Sequence, residues 1–189
     1  MTDREILDFL HIAERLKDAT RHCTTSKGRA ESVAEHSWRL SLLALLLEDE
    51  ITDADFDKII RMCIIHDLGE AITGDIPTFW KTEADSDHED TVLEEWMSSL
   101  PSPQRERFAA LFAEMNAQET KEAKIYKALD RMEACIQHNE SPLSTWIPLE
   151  YEMNQTYGEE NAACDPKLAG LRALVKQDTI EKIAREGKQ

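Results

Sequence analysis

Helix breakers are scarce in this chain. Six Gly and six Pro among 189 residues are about half the usual share. The long stretches between them are rich in Ala, Leu, Glu, Lys, Arg and Met, which lose little rotamer freedom in a helix. An all-β sandwich or barrel is excluded, and the expected class is an all-α helical bundle. With no internal repeat, low-complexity tract or long heptad seam, residues 1–189 are expected to form a single domain.

Helix ends are written locally. Thr2-Asp3-Arg4-Glu5 has capping-box form and is followed by Ile6, Leu7, Phe9, Leu10, Ala13 and Leu16 at helical spacing, predicting a helix over 3–18. Ser32-Val33-Ala34-Glu35 repeats the signal and starts a helix running to about Glu48 through Val33, Trp38, Leu42, Leu45 and Leu46. Asp53 or Asp55 can cap a third helix that ends at Gly69, a residue suited to the left-handed conformation, with His66-Asp67 in the last turn. Residues 74–81, GDIPTFWK, read as a loop. Residues 82–95 carry seven acidic and no Lys or Arg side chains and read as the solvated start of another helix. Further helices are expected over about 103–118, 120–140, 146–157 and 166–186. Residues 19–31 lack an apolar period and hold Arg21, His22, Lys27 and Arg29, so they read as a cationic loop.

That loop reverses the local charge of an acidic chain, with 22 basic against 38 acidic side chains and a net charge of −16. The overall field repels a nucleic-acid polymer. A small phosphorylated ligand remains compatible, because a pocket of Arg, Lys and metal can attract one phosphate group. The longest apolar run, Leu42 to Leu47, is six residues, far below the roughly 20 needed to span a bilayer. The opening MTDREILDF lacks the basic and apolar regions of a signal peptide. No membrane partner is expected, and the location is expected to be cytoplasmic. Cys23, Cys63, Cys135 and Cys164 form no C-x-x-C pair and read as reduced thiols.

Three predicted helices each contribute metal-competent groups: His36, the pair His66-Asp67, and Asp130. Met62, Cys63, Ile64 and Ile65 precede His66, and Asp130 lies among Ala128, Leu129 and Met132. An unpaired polar group in such core-like segments costs about 1–3 kcal/mol. Mixed imidazole and carboxylate donors suit a divalent metal and leave positions open for water and substrate. The alternative is a buried His–Asp hydrogen-bond network without metal. Glu70 lies four residues after His66 and three after Asp67; a continuous helical turn would place it beside the cluster as a general acid or base. Arg21, in the cationic stretch, has the planar fork that holds two phosphate oxygens.

AEHSWR at His36, IIHDLGE at His66-Asp67 and KALDRME at Asp130 together resemble the HD-domain metal-dependent phosphohydrolases. HDLGEAITGDIPTFWK, from His66 to Lys81, resembles more specifically the 5′-deoxynucleotidase branch. The similarity spans about residues 4–140, with only helical character beyond. It implies a helical bundle around one divalent ion (Mn, Co, Mg, Zn, Ni or Fe) held by His36, His66, Asp67 and Asp130. It also implies phosphate orientation by Arg21, substrate contacts from Asp75, Pro77, Thr78 and Lys81, and a homodimer, for which Trp80, Trp96 and Trp146 are candidate exposed groups. Similar deoxynucleotidases tend to carry Trp where this chain has His22, which bears on the nucleoside contact.

The expected activity is that of a 5′-nucleotidase acting on nucleoside 5′-monophosphates, with Glu70, Arg21 and Asp67 as the catalytic set. One rival is a triphosphohydrolase of the same superfamily, drawing on Arg21, Lys27, Arg29, Arg39, Lys81 and Arg131. The other is a non-catalytic nucleotide-binding protein. His88 and His138 would be needed for a second metal, but no further His lies between His88 and Asp130.

Overall fold

The computed structural model describes residues 1–187. Helix α1 (Asp3–Ala13) begins at the Thr2–Glu5 capping box and tightens into a 3-10 turn over Glu14–Lys17, so the predicted 3–18 helix exists in two geometries. The stretch read as a loop is instead an antiparallel hairpin, β1 (Thr20–Thr24) and β2 (Ala30–Ser32). Its strands are too short for period-two alternation to stand out. The hairpin closes where Thr25 N–H donates to the Arg29 carbonyl (2.7 Å) and Gly28 N–H to the Thr25 carbonyl (2.8 Å).

Helix α2 (Val33–Leu47) starts from the reciprocal Ser32–Glu35 cap. Its buried face is Val33, His36, Ser37, Leu40, Ala44 and Leu47, whereas Trp38, Leu42, Leu45 and Leu46 point outward. Helix α3 (Phe56–Ile65) is capped by Asp55 and stops at His66, earlier than expected. The chain turns through 66–69 into the short α4 (Glu70–Thr73). Gly69 is right-handed, φ −57°, so its expected left-handed role is not taken. Close packing explains it better: a Cβ there would lie 3.0 Å from Glu89 Cγ on α5 (Glu83–Ser98).

Helices α6 (Gln104–Ala117) and α7 (Lys121–Glu140) match their predicted spans to within a residue or two. The helix expected at 146–157 starts late as α8 (Glu150–Thr156), after a 3-10 turn at Leu143–Thr145. A short α9 (Glu159–Ala162) precedes α10 (Pro166–Glu186). Trp96 and Trp146 are buried, contrary to expectation; Trp38 and Trp80 are the exposed pair. Trp96 stacks on Phe9 with ring centroids 4.6 Å apart. Trp146 Nε1–H donates to Ser141 Oγ at 2.9 Å.

Helices α2, α3 and α7 pack against one another at the centre, where Leu40, Ile59, Met62, Ile125, Leu129 and Met132 are fully buried. Each such side chain contributes roughly 1.5–3 kcal/mol from burial. The polar residues on these helices' inner faces are thus mounted on the most heavily packed part of the molecule. Helix α10 lies across α7 and α8, and buried Arg172 donates to the Tyr157 and Asn154 carbonyls, both at 2.9 Å. Those carbonyls end α8, so the C-terminal helix fixes the segment carrying Tyr157. No helix among the described residues is long and apolar enough to cross a membrane.

Candidate metal centre and substrate cavity

The three central helices bring His36, His66, Asp67 and Asp130 together although they are scattered over 95 positions of sequence. His36 Nε2 lies 3.2 Å from Asp130 Oδ1 and 3.9 Å from Asp67 Oδ2. His66 Nε2 lies 2.9 Å from Asp67 Oδ2 and 3.6 Å from Asp130 Oδ1. His36, His66 and Asp67 present donor atoms that all lie within 4.8 Å of one another, and Asp130 Oδ1 approaches both imidazoles. His66 Nε2 is buried with no hydrogen-bond partner, while Nδ1 of the same ring is 2.9 Å from the Cys63 carbonyl and donates to it. With Nδ1–H turned to a carbonyl, Nε2 is the ring atom that faces the carboxylates, an orientation that suits a metal ligand. The donor set therefore fits a divalent ion.

Electrostatics inside the cluster are strongly coupled. Burial and Arg21 oppose a charge on His36, but Glu133 and Asp130 outweigh them and move its pKa up to about 9. Burial would raise Asp67, yet His66 and His36 hold it down at about 2. Burial likewise opposes ionisation of Asp130, and Lys127, whose Nζ lies 2.7 Å from Oδ2, leads the groups that hold it well below the carboxylate range.

Chain order did not single out Glu133. It is fully buried, accepts from Nδ1–H of His36 and from Arg39, and so leaves His36 Nε2 facing the other donors. Its position three residues after Asp130, on the same face of α7, was the available signal.

Glu70 is buried on α4, not on a continuation of α3, and its Oε2 has no partner. Burial first, then Asp67, Asp75 and Glu89, push its carboxyl up to about 10. The continuous helix expected to carry it is replaced by the turn at 66–69, and Glu70 still feels the charge of Asp67.

A half-open cavity of about 580 Å³, counting its mouth, is lined by β1, α7, the 74–81 loop and α8, and by none of the four donors or Glu70. Arg21 and His22 from β1 and Asp75, Pro77 and Thr78 from the 74–81 loop, the residues expected to contact substrate, all line it. Arg21 and Asp75 stand on the cluster side, where Arg21 feels the charge of Asp67 and Asp75 feels both Asp67 and His36. Lys81 is placed differently: it pairs with Glu89 and does not line this cavity. Of the six cations considered for a triphosphate, Arg21 alone lines it. Arg29 pairs with Glu35, Arg39 with Glu133 and Glu140, and Arg131 with Asn161.

The opposite wall was not foreseen. Met153, Asn154 and Tyr157 come from the C-terminal region, and Thr78 Oγ1 lies 3.4 Å from the Tyr157 hydroxyl. Phe79 also lines the cavity, and His22 meets Phe79 and Trp80 edge-on, each with centroids 5.4 Å apart. The imidazole thus joins an aromatic group that a Trp would otherwise supply. His88 is exposed on α5, away from any clustered ligands among the described residues.

The HD-domain family profile matches residues 13–172, and the chain belongs to that family. Among curated relatives, human 5′-deoxynucleotidase HDDC2 is 29% identical over 141 residues, covering 72% of this chain and 68% of that protein. The 5′-deoxynucleotidase HDDC2 of Danio rerio is 28% identical over 97% of this chain and 92% of its own length. A crystal structure described as a predicted metal-dependent phosphohydrolase from Magnetospirillum magnetotacticum MS-1 shares the fold, with TM-score 0.79, 23% identity and coverage of 93% and 91% of the two chains.

Proposed function

We propose that this chain is a metal-dependent 5′-nucleotidase that hydrolyses nucleoside 5′-monophosphates, including deoxynucleotides, to nucleoside and inorganic phosphate. The observation that carries this reading is the four-donor His/Asp cluster together with a cavity lined by Arg21, which feels the charge of Asp67, and by His22 and Phe79. The activity named for the relatives supports it.

In this reading His36, His66, Asp67 and Asp130 hold one divalent ion, which supplies positive charge against the phosphate and acidifies water. Arg21 binds two phosphate oxygens, and its pairing with Glu31 at 3.7 Å is loose enough to exchange for them. Glu70 handles the proton of the attacking water or of the departing nucleoside oxygen. Asp75 accepts from a sugar hydroxyl, Thr78 adds a second polar contact, and Pro77 shapes the loop. His22, with Phe79, packs on the nucleoside. Lys81 acts on the site only through its field, held by Glu89. A single Arg in the cavity matches one phosphate group better than three, which favours the monophosphate over the triphosphate reaction.

The reading includes a small nucleotide partner, no nucleic-acid polymer or membrane partner, and a cytoplasmic setting, in keeping with four unpaired cysteines. It also includes a homodimer through the outward face of α2, where Trp38, Leu45 and Leu46 are more than half exposed.

The test is phosphate release from a panel of nucleoside mono- and triphosphates with Mn²⁺, Co²⁺, Mg²⁺ or EDTA, in wild type and Asp67→Ala. Inorganic phosphate from monophosphates, abolished by EDTA and by the substitution, is the expected result. Tripolyphosphate from triphosphates would replace the reading with the triphosphohydrolase; binding without turnover would replace it with a nucleotide sensor.

A further inference from the structure

Cys23, His138 and Glu150 form a chain of contacts in the cavity wall that phosphate hydrolysis leaves unused. Cys23 on β1 is buried but lines the cavity, and its Sγ lies 3.3 Å from His138 Nδ1 on α7. His138 Nε2 lies 2.8 Å from Glu150 Oε1 on α8. The ring's protonation follows from its partners. Nδ1 also faces the Ala134 carbonyl at 3.1 Å, which can only accept, so Nδ1 carries a proton. Nε2 faces a carboxylate that already accepts from Ile147 N–H at 2.7 Å, so Nε2 carries one too. These acceptors, the Ala134 carbonyl and the Glu150 carboxylate, favour a proton on each nitrogen, the imidazolium form. The Nδ1–H is shared between the Ala134 oxygen and the Cys23 sulfur, so the sulfur has a proton donor and acceptor within hydrogen-bond reach.

We propose that Cys23 is an activated nucleophilic thiol, a modification site for small hydroperoxides and soft electrophiles, with His138 as its proton partner and Glu150 as the group that orients and charges His138. The same contacts raise His138 against the effect of burial, to about 10. The other charged or titratable groups lining the same cavity are Arg21 and His22 on β1, Asp75 in the loop, Cys135 on α7 and Tyr157 after α8, and His22 Nε2 lies 3.3 Å from the same Glu150 Oε1. The remaining thiols lack this arrangement: burial raises Cys63, Cys135 and Cys164.

With a hydroperoxide, the thiolate sulfur attacks the terminal oxygen. The S–O bond forms as the O–O bond breaks, sulfur is oxidised to the sulfenic acid, and the peroxide is reduced. The departing alkoxide takes the Nδ1 proton of His138 and leaves as an alcohol, or as water from hydrogen peroxide. A modified Cys23 adds bulk to the wall of the cavity that Phe79 also lines. On the nucleotidase reading this obstructs the nucleoside, and bound nucleotide shields the thiol.

The experiment is the pH dependence of alkylation by iodoacetamide at each cysteine of the full chain, read by peptide mass spectrometry. Because a rate profile is normalised, limited access lowers all points equally and leaves its shape intact. Cys23 is expected to keep most of its rate from pH 8 down to pH 6, while Cys164 falls about tenfold per unit as an ordinary thiol does. His138→Gln is expected to give Cys23 the profile of Cys164, with Glu150→Gln intermediate. Buried Cys63 reports folding, since unfolding exposes it to label. Hydrogen peroxide followed by a sulfenic-acid probe is expected to mark Cys23 first. A wild-type Cys23 profile that falls like Cys164, or one unchanged by His138→Gln in a protein whose Cys63 stays unlabelled, overturns the proposal. None of these readouts needs turnover, so their failure is separate from failure of the nucleotidase reading.

Discussion

A carboxylate buried against one ring nitrogen of a histidine decides what the other nitrogen can do. Glu133 holds Nδ1–H of His36, so His36 can present only Nε2 to the shared site. Glu133→Gln is expected to keep the packing yet weaken metal affinity by about 10–100-fold, measured by competition with a chromophoric chelator. Glu70 invites a different measurement. Its folded-state pKa, about 10, lies above the ordinary 4.5, so the folded metal-free protein binds a proton that the unfolded chain releases. The associated stability is present below pH 4.5 and is lost as pH rises towards 10. Glu70→Gln is expected to flatten that decline in melts of the metal-free protein between pH 5 and 9. The same substitution should lower kcat by about 10²–10⁴-fold if Glu70 is the general acid or base. His66, Asp67 and Asp130 were read as candidates because polar side chains stood out in apolar runs, and Glu70 from its spacing after His66 and Asp67. Glu133 was not: a Glu on a charged helix looks solvated until another helix is known to cover it.

Elements carry a second layer of positioning. Gly158, between α8 and α9, has φ +76°, and a Cβ there would lie 2.8 Å from Arg131 Cβ. Arg131 in turn lies over the Tyr157 ring, 5.2 Å from its centroid. Gly158→Ala meets both backbone strain, about 1–2 kcal/mol, and a collision that pushes on the cavity wall. The expected outcome is a lower melting temperature together with a raised KM and a smaller change in kcat. Arg172→Met removes the donors that hold the Tyr157 and Asn154 carbonyls and is expected to cost about 3–5 kcal/mol, read by urea denaturation. The helices themselves were largely legible, because capping residues and apolar spacing are local. The hairpin was not, since its strands are held by pairing with each other and by the packing of Cys23 against α7.

For the whole molecule, the central site ties metal binding to folding. An ion at 1,000 times its Kd stabilises by about 4 kcal/mol, or roughly 8–16 °C for a chain of this size. EDTA is therefore expected to lower the melting temperature of wild type by that order and to leave Asp67→Ala nearly unchanged. Leu46→Glu on the outer face of α2 is expected to shift a dimer to monomer in sedimentation without disturbing the metal centre, since Leu46 points away from it.

Sequence by itself determined the helical class, most helix boundaries, four metal-competent side chains and much of one cavity wall, because each depends on neighbours a few residues apart or on a motif carried in one segment. Tertiary structure decided which nitrogen of His36 is free, which cations are already paired, how the 66–69 turn delivers Glu70, and that the C-terminal helices complete the cavity. Those outcomes depend on groups distant in sequence whose partners are chosen only when the helices pack, and no local pattern encodes that choice.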